Sequence, residues 1–323
     1  MKGKIYSITA ILVFILFING CGVNGGEKAI IPQGNDFPCT VLDSLNRKVT
    51  IKRAPERIVS LSPDNTEILF ALGLGDKIKG VTEYCDFPAR AAEKAKIGGF
   101  ASPNVELIVQ LRPDLVVANK IHEKTVKQLE NLGITAVAFD AKNINGVLEK
   151  IKSIGRISGK TEDSKALVDK MQREIVKVTR KTMSLPEHKK PRVYFEIWHD
   201  PLTTGGGSSF LNSVIEAAGG RNIAADEGKD WIQINPEILL KKDPQVVFFI
   251  GHFTSEKTRR EIMVRNGWSG ITAVKNGRLY KFPDENLVVR PGPRVVKGLE
   301  KMAEMLHPEL FGKEGVEGPL DTN

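Results

Sequence analysis

The chain has 323 residues, of which 41% are hydrophobic and 27% are charged. This balance is too apolar for a disordered tail and too charged for a membrane protein with many spans. The length predicts two domains, since a domain usually takes about 150 residues. The formal net charge of +8 falls to +6 without Lys2 and Lys4, and no Lys/Arg run exceeds two residues, which argues against binding to nucleic acid.

The N-terminal segment 1–20 has the pattern of a signal peptide. Two lysines precede an apolar run over residues 5–18, and small or polar residues lead to Cys21. The run of 14 positions is too short for a bilayer-spanning helix, which needs about 20 apolar residues. Residues 18–21 resemble a bacterial lipobox, with Asn19 as an unusual occupant. We therefore expect Cys21 to be lipidated and the polar residues 21–36 to form a tether to the outer face of the cytoplasmic membrane.

Two further cysteines, Cys39 and Cys85, follow the expected lipidation site. In an exported protein they could form a disulfide, or they could be two separate thiols, and the sequence leaves both open. No CxxC or HExxH motif is present to indicate a redox or metal site.

Short apolar runs alternate with amphipathic stretches along most of the chain, which predicts βα units with mostly parallel sheets. The predicted strands are Arg57–Leu61, Leu115–Ala118, Ala136–Phe139, Val193–Ile197 and Val246–Ile250. The predicted helices are Asn65–Leu72, Val105–Leu111, Glu123–Leu132, Phe210–Ala218 and Pro236–Lys241.

The middle of the chain breaks this alternation. Residues 146–183 contain no strand-like run and no proline, but two apolar stripes of helical spacing separated by Gly159. We predict a short helix and then one of roughly 20 residues. The predicted organisation is an N-terminal lobe (37–145), a connecting helical segment (146–185), a C-terminal lobe (186–311) and a tail (312–323).

An internal repeat supports two similar lobes. One pattern begins at Asn104 and again at Asn235: Asn-x-Glu, two aliphatic residues, then a proline and a strand. We call the separation between these two asparagines in the chain the repeat offset. Asparagine is a good helix N-cap, and a carboxylate in the first turn suits the helix dipole. If the repeat is real, Glu106 and Glu237 occupy equivalent positions and could contact a partner with two-fold symmetry.

Several motifs resemble one family. Arg57–Glu67, Tyr84–Pro88, Gly98–Glu106 and Arg112–Val117 look like the helical-backbone substrate-binding proteins of ABC importers, in the cobalamin and iron-chelate branch and most similar to cobalamin receptors. The resemblance spans about Phe37 to Phe311. It implies an α/β fold of two Rossmann-like lobes joined by a single long rigid α-helix, a ligand cleft between the lobes, no catalysis and no cofactor besides the bound ligand.

The resemblance also assigns residues to partners. Glu106 and Glu237 match the carboxylates that bind basic pockets on the two subunits of a permease dimer, which works with ATPase subunits. Tyr84, Phe100 and Trp231 match aromatic positions that contact the ligand, although each could be an ordinary core residue.

Other positions match less completely. Asn119 stands where cobalamin receptors have a tryptophan, whereas Trp198 and His199 place an aromatic ring and an imidazole on a loop of the second lobe. His199 could be an axial ligand to a bound metal complex, donate a hydrogen bond to a ligand, or have no role. Asp284 matches a polar position of the cleft.

Arg290 and Arg294 could contact an anionic siderophore or a propionate, or they could be charges on a solvated loop or at the start of a helix. The glycine run that begins at Gly205 could bind a phosphate, but it lacks a P-loop pattern, and a tight turn between strand and helix is the simpler interpretation.

Two classes of function are compatible with these observations. The first is an exported lipoprotein that captures cobalamin or a related corrinoid for an ABC permease, with a ferric siderophore or haem as the alternative ligand. The second is an exported metal-dependent hydrolase that uses His199, Asp200 and His252, but no nucleophile or metal motif supports it.

Overall fold

Two parallel β-sheets flanked by helices form the architecture in the computed structural model, which describes residues 37–250 and 255–312. Of residues 255–258 only the backbone is described. The predicted signal peptide, Cys21, the tether, His252 and residues 313–323 of the predicted tail lie outside the described residues.

The N-terminal sheet has strand order β5-β4-β3-β6-β7, and all its described pairings are parallel. A β1-β2 hairpin precedes it. The strands are β1 Cys39–Leu42, β2 Lys48–Ile51, β3 Ile58–Ser60, β4 Ile78–Val81, β5 Ala95–Lys96, β6 Leu115–Ala118 and β7 Ala136–Ala138. The helices are α1 Pro63–Ala71, α2 Ala89–Ala92, α3 Val105–Gln110 and α4 Glu123–Asn131, with a 3₁₀ turn at Lys120–His122.

Two long helices follow, α5 over Ile144–Ile157 and α6 over Thr161–Thr182. Gly159 has a φ of 71° between them, a conformation that glycine adopts without strain, so the predicted break is confirmed. Helix α5 packs against α1 and β1, and it also contacts α6. In the chain these helices lie between the last strand of the N-terminal sheet and the first strand of the next.

The C-terminal sheet has strand order β11-β8-β13-β14 and is also parallel in its described pairings, while β12-β10-β9 form a small antiparallel sheet. The strands are β8 Arg192–Glu196, β9 Trp198–His199, β10 Leu202–Gly205, β11 Arg221–Asn222, β12 Trp231–Gln233, β13 Val246–Phe249 and β14 Leu279–Lys281. The helices are α7 Phe210–Ala217, α8 Pro236–Lys242, α9 Ser255–Met263, α10 Thr272–Lys275, α11 Asn286–Val289, α12 Val295–Leu306 and α13 Pro308–Phe311, with 3₁₀ turns at Glu187–Lys189 and Trp268–Gly270.

The central strands are buried on both faces, as expected for parallel sheets covered by helices. Val117 and Phe248 face a large apolar core that also includes the inward side chains of α5, α6 and α12. Val116 and Val247, one residue earlier on each strand, belong to two separate cores on the outer faces. Each sheet is therefore the middle layer of three.

The internal repeat is visible in the backbone. The bounds of strands β6 and β13 differ by the repeat offset at both ends. Arg112 and Asp243, also separated by this offset, both adopt positive φ, 46° and 45°, where the preceding helix turns into the strand. Positive φ is uncommon outside glycine, so its recurrence at equivalent positions supports a true repeat.

Cys39 and Cys85 are both free and buried. Of the two alternatives, a disulfide or two separate thiols, the structure has two separate thiols. None of the helices within residues 37–250 and 255–312 is both long and apolar enough to cross a bilayer.

Candidate ligand-binding site

The predicted ligand contacts follow the carboxyl ends of parallel strands, the edge where open α/β sheets bind ligands. Tyr84 follows β4 and Phe100 follows β5, whereas Asp284 follows β14 in the other sheet. Trp198 and His199 follow β8 and form β9, and Trp231 opens β12.

Three of the aromatic side chains are exposed rather than core. Tyr84 is 62% exposed, Trp198 is 46% and Trp231 is 47%. Phe100 is partly buried, and its ring packs edge-on against His122 with 5.2 Å between the centroids. An exposed aromatic ring offers a large apolar area whose burial against a ligand is favourable.

The small antiparallel sheet places the two exposed indoles on the same side. Trp198 pairs with Thr203 and Trp231 pairs with Gly205, two residues further along β10. Since side chains two residues apart share a face of a strand, both indoles project from one face of this sheet. His199 is exposed as well, and its ring centroid lies 5.3 Å from that of Trp198.

A depression of about 440 Å³ lies beside Trp231, but it is lined only by residues of the C-terminal half and contains none of the other five predicted ligand contacts. Lys142 forms an ion pair with Asp230, the residue before Trp231, and so links the segment after β7 to this loop. That all six predicted side chains contact one ligand remains a prediction.

The glycine run does not cradle a phosphate, because its amides are occupied. Gly206 N–H donates to Asp230 O over 3.0 Å and Gly207 N–H donates to Glu227 O over 2.7 Å. A Cβ on Gly207 would lie 2.1 Å from Ala225 O. The run is a tight turn between β10 and α7 that holds the segment leading to Trp231, which confirms the predicted turn.

Asn119 belongs to a buried polar network. Its side-chain amide lies 3.0 Å from Ser62 Oγ and 2.7 Å from Asn65 Nδ2. His122 Nδ1 accepts from Asn119 N–H over 3.0 Å, which leaves Nε2 to donate to Phe100 O over 2.7 Å. Burial lowers the pKa of His122, which favours this neutral form. No motif in the sequence indicated His122, whose ring holds the backbone carbonyl of Phe100 in place.

The same network contains an almost completely buried ion pair between Asp64 and Lys150. Burial alone would raise the pKa of Asp64, but Lys150 and hydrogen bonds with Ser62 and Asn119 outweigh it, so this pKa is lowered. The pair connects α1, which carries Asp64, to α5, which carries Lys150.

Arg294 and Arg290 are largely buried and both pair with carboxylates, and Arg294 immediately precedes α12, as the helix-start alternative expects. Arg294 donates to both oxygens of the buried Glu67, at 2.9 and 2.7 Å, and to Asp284 Oδ2 at 2.9 Å. Arg290 donates to Asp86 at 2.6 Å. Burial raises the pKa of Glu67 even with both guanidinium groups beside it.

The Arg294 guanidinium also lies over the ring of Phe87, 4.0 Å from its centroid. Both oxygens of Asp284, a predicted ligand contact, already accept hydrogen bonds within the protein. One accepts from Arg294, and the other accepts from Asn286 N–H over 3.0 Å. These contacts join the loop after β4 and helix α1 to the loops around α11.

The two glutamates of the repeat lie in equivalent places. Glu106 is the second residue of α3 and Glu237 the second residue of α8, and both are exposed. Asn104 and Asn235 cap these helices, accepting from Leu107 N–H at 3.1 Å and from Glu237 N–H at 2.7 Å. An exposed aliphatic residue, Leu107 or Ile238, follows each glutamate.

No group of three or more histidine, cysteine, aspartate or glutamate side chains in the described part of the chain is arranged to hold a metal ion.

Each half is built around a parallel sheet, and exposed aromatic rings lie beyond the strands of both halves, the arrangement expected of a solute-binding protein. The chain belongs to the periplasmic binding protein family, whose model matches residues 58–286. It is an extracytoplasmic substrate-binding protein of an ABC transporter, a class of binding proteins that works with permease and ATPase components.

Three relatives illustrate the similarity. The ABC transporter substrate-binding lipoprotein YvrC of Bacillus subtilis is 34% identical over 96% of this chain and 99% of its own length. A cobalamin-binding protein of Halobacterium salinarum is 32% identical over 87% of this chain and 77% of its own. The crystal structure of the vitamin B12-binding protein of Vibrio cholerae superposes with a TM-score of 0.70, at 26% identity over 79% of this chain and 97% of that one.

Proposed function

We propose that this protein captures cobalamin or a related corrinoid at the facing edges of its two sheets and delivers it to an ABC permease dimer. The observation that carries the proposal is the exposure of Tyr84, Trp198 and Trp231 beyond the strands of both halves. Aromatic rings offer a flat macrocycle a large apolar contact at small entropic cost. The names of the cobalamin-binding relatives support the same ligand.

The charges favour a corrinoid over an anionic chelate. Arg290 and Arg294 could have met a carboxylate of haem or of a siderophore, but Glu67, Asp86 and Asp284 already neutralise them. An anionic ligand bound at these two arginines would have to displace one of these charge-assisted hydrogen bonds, which costs affinity.

A ferric siderophore or haem is the alternative ligand. The exposed imidazole of His199, which lies beside the Trp198 ring, could coordinate haem iron or the cobalt of a corrinoid. The periplasmic haem-binding protein of Roseiflexus superposes with a TM-score of 0.70, at 25% identity over 78% of this chain and 98% of that one, and its name supports haem as the alternative.

Calorimetric titration of the mature protein with cyanocobalamin, haem and a ferric hydroxamate siderophore tests the ligand. We expect cyanocobalamin to bind at micromolar concentration or below. Binding of haem or the siderophore alone would overturn the corrinoid assignment and leave the transport class intact.

We further propose that Glu106 and Glu237 bind basic pockets on the two permease subunits, and that lipidated Cys21 holds the protein at the outer face of the cytoplasmic membrane. Complementary charge across such an interface directs encounter and fixes register. Charge reversal of both glutamates to lysine should abolish uptake while leaving ligand binding in solution unchanged. Glu123→Lys is the matched control, since Glu123 is also an exposed glutamate in the first turn of a helix.

A further inference from the structure

We propose that Arg57 and Arg192 are positioning residues that hold the docking helices, α3 and α8, so that Glu106 and Glu237 are presented in a fixed geometry. This inference rests on the proposed docking role of the two glutamates. It arises from a pair of matching contacts at the far ends of these helices.

Arg57, just before β3, binds the carboxyl end of α3. Its Nε donates to Arg112 O over 3.0 Å and to Leu111 O over 3.2 Å, and its Nη2 donates to Leu111 O over 2.6 Å. The last carbonyls of a helix have no partner within the helix, and a cation there also suits the helix dipole. The guanidinium therefore fixes the end of α3 to the first strand of the sheet.

Arg192, the first residue of β8, makes the same contacts with α8. Its Nε donates to Lys242 O over 3.0 Å and to Asp243 O over 2.8 Å. These two carbonyls are the equivalents, at the repeat offset, of those of Leu111 and Arg112. The Nη2 of Arg192 donates to Asp243 Oδ2 over 2.9 Å. In each half, therefore, an arginine binds the carbonyls at the carboxyl end of the docking helix.

The backbone of each arginine is held in the same way. Asp114 Oδ1 accepts from Arg57 N–H over 2.9 Å, and Gln245 Oε1, at the repeat offset, accepts from Arg192 N–H over 3.0 Å. A feature kept in both halves, although an aspartate serves in one and a glutamine in the other, points to a shared requirement of the two helices.

The helices are too short to keep their direction unaided. They have six and seven residues, below the length at which an isolated helix is stable. Within α3 and α8, all of whose residues are described, Ile108 and Leu239 are the buried residues, and they too are separated by the repeat offset. Val105 of α3 and Leu240 of α8 are half-buried against the same two cores, and the arginine holds the carboxyl end of each helix. With the arginine removed, that end loses its attachment, and the helix can shift on its few apolar contacts and move its glutamate.

The test compares three variants: Arg57→Ala/Arg192→Ala, the conservative Arg57→Lys/Arg192→Lys, and the control Arg53→Ala. Arg53 is an exposed arginine for which the described residues show no hydrogen bond. Amide hydrogen exchange in α3 and α8 reports the helices directly, cyanocobalamin titration and the melting temperature report the rest of the fold, and binding to the reconstituted permease–ATPase complex reports docking.

In the double alanine variant we expect the amides of both helices to exchange about tenfold faster or more, and docking to weaken about tenfold, while cyanocobalamin affinity stays within about twofold. The lysine variant should recover part of the docking affinity, and Arg53→Ala should behave as wild type. A merely structural role would lower ligand affinity and docking together.

Unchanged exchange in α3 and α8 would overturn the inference. So would faster exchange with wild-type docking, provided that Glu106→Lys/Glu237→Lys abolishes docking. If that charge reversal leaves docking intact, the docking role itself fails, and the inference falls with it, whatever the exchange rates show.

Discussion

Arg294 binds Glu67 through two parallel hydrogen bonds, of 2.9 and 2.7 Å, although 227 residues of chain separate them. Glu67 lies on α1, beside the N-terminal sheet, and Arg294 immediately precedes α12. Both side chains are largely buried, at 2% and 14% exposure. The pair therefore joins the two halves at the edge where the aromatic side chains lie.

Loss of this pair should be costly. Arg294→Ala leaves Glu67 buried without the guanidinium that binds both of its oxygens. We therefore expect the free energy of unfolding to fall by about 3 kcal/mol. Urea denaturation followed by circular dichroism measures it. Arg90→Ala is the control, because Arg90 pairs with Asp76 at an exposed site and should cost less than about 1 kcal/mol. Equal losses in the two variants would contradict the prediction.

Lys150→Met should destabilise the protein in the same way, because it leaves Asp64 unpaired in the interior. We expect a loss of about 3–5 kcal/mol. Adding Asp64→Leu to form a double variant removes the unpaired charge, and stability should recover for the most part. Thermal unfolding of the single and double variants measures both effects. A double variant no more stable than Lys150→Met would show that the buried charge is not the cause.

The Asp64–Lys150 pair also predicts a pH dependence. The pKa of Asp64 is lowered in the folded protein, whereas an unfolded aspartate titrates at about pH 3.9. The contribution of the pair is thus present above about pH 4 and is lost as the pH falls through the lowered pKa. Between about pH 6 and about pH 3 the wild type should lose stability relative to the Lys150→Met/Asp64→Leu variant. Parallel curves of unfolding free energy against pH would refute this.

Gly207→Ala should impair ligand binding without touching a ligand contact. The new Cβ would lie 2.1 Å from Ala225 O, so the segment that leads to Trp231 must move. We expect cyanocobalamin affinity to fall about tenfold, measured by calorimetry. Gly228→Ala, in the same segment, meets nothing within 4 Å and should bind as wild type. Similar affinities for both variants would argue against the role of the glycine run.

Trp198→Ala and Trp231→Ala should each weaken cyanocobalamin binding by about tenfold to a hundredfold, because a buried aromatic contact is worth about 1–3 kcal/mol at a binding surface. Since both indoles are exposed in the structure, their loss should leave the melting temperature nearly unchanged. Met183→Ala, at a side chain that is 74% exposed on another part of the surface, is the control. Wild-type affinity in either tryptophan variant would remove that residue from the site.

The sequence by itself determined the layered fold. Buried strands such as β6 and β13, the break at Gly159 and the asparagine caps of α3 and α8 follow from periodicity and from hydrogen bonds within a few residues. It also located the equivalent glutamates through the internal repeat. The short strands β9 and β12 of the small antiparallel sheet were not predicted, because so few residues give no measurable alternation.

Only the tertiary structure decided which partners the polar and charged side chains at this edge of the sheets have. The sequence singled out Arg294, Asp284 and Asn119 but could not identify their partners Glu67, Arg294 and Ser62, two of which are distant in the chain. Whether a guanidinium is free for a ligand or already paired with a carboxylate of the protein depends on which helices pack together. That packing is determined by the shape of the whole core rather than by local sequence pattern. The same holds for Arg57 and Arg192, whose equivalence emerges from the carbonyls they bind.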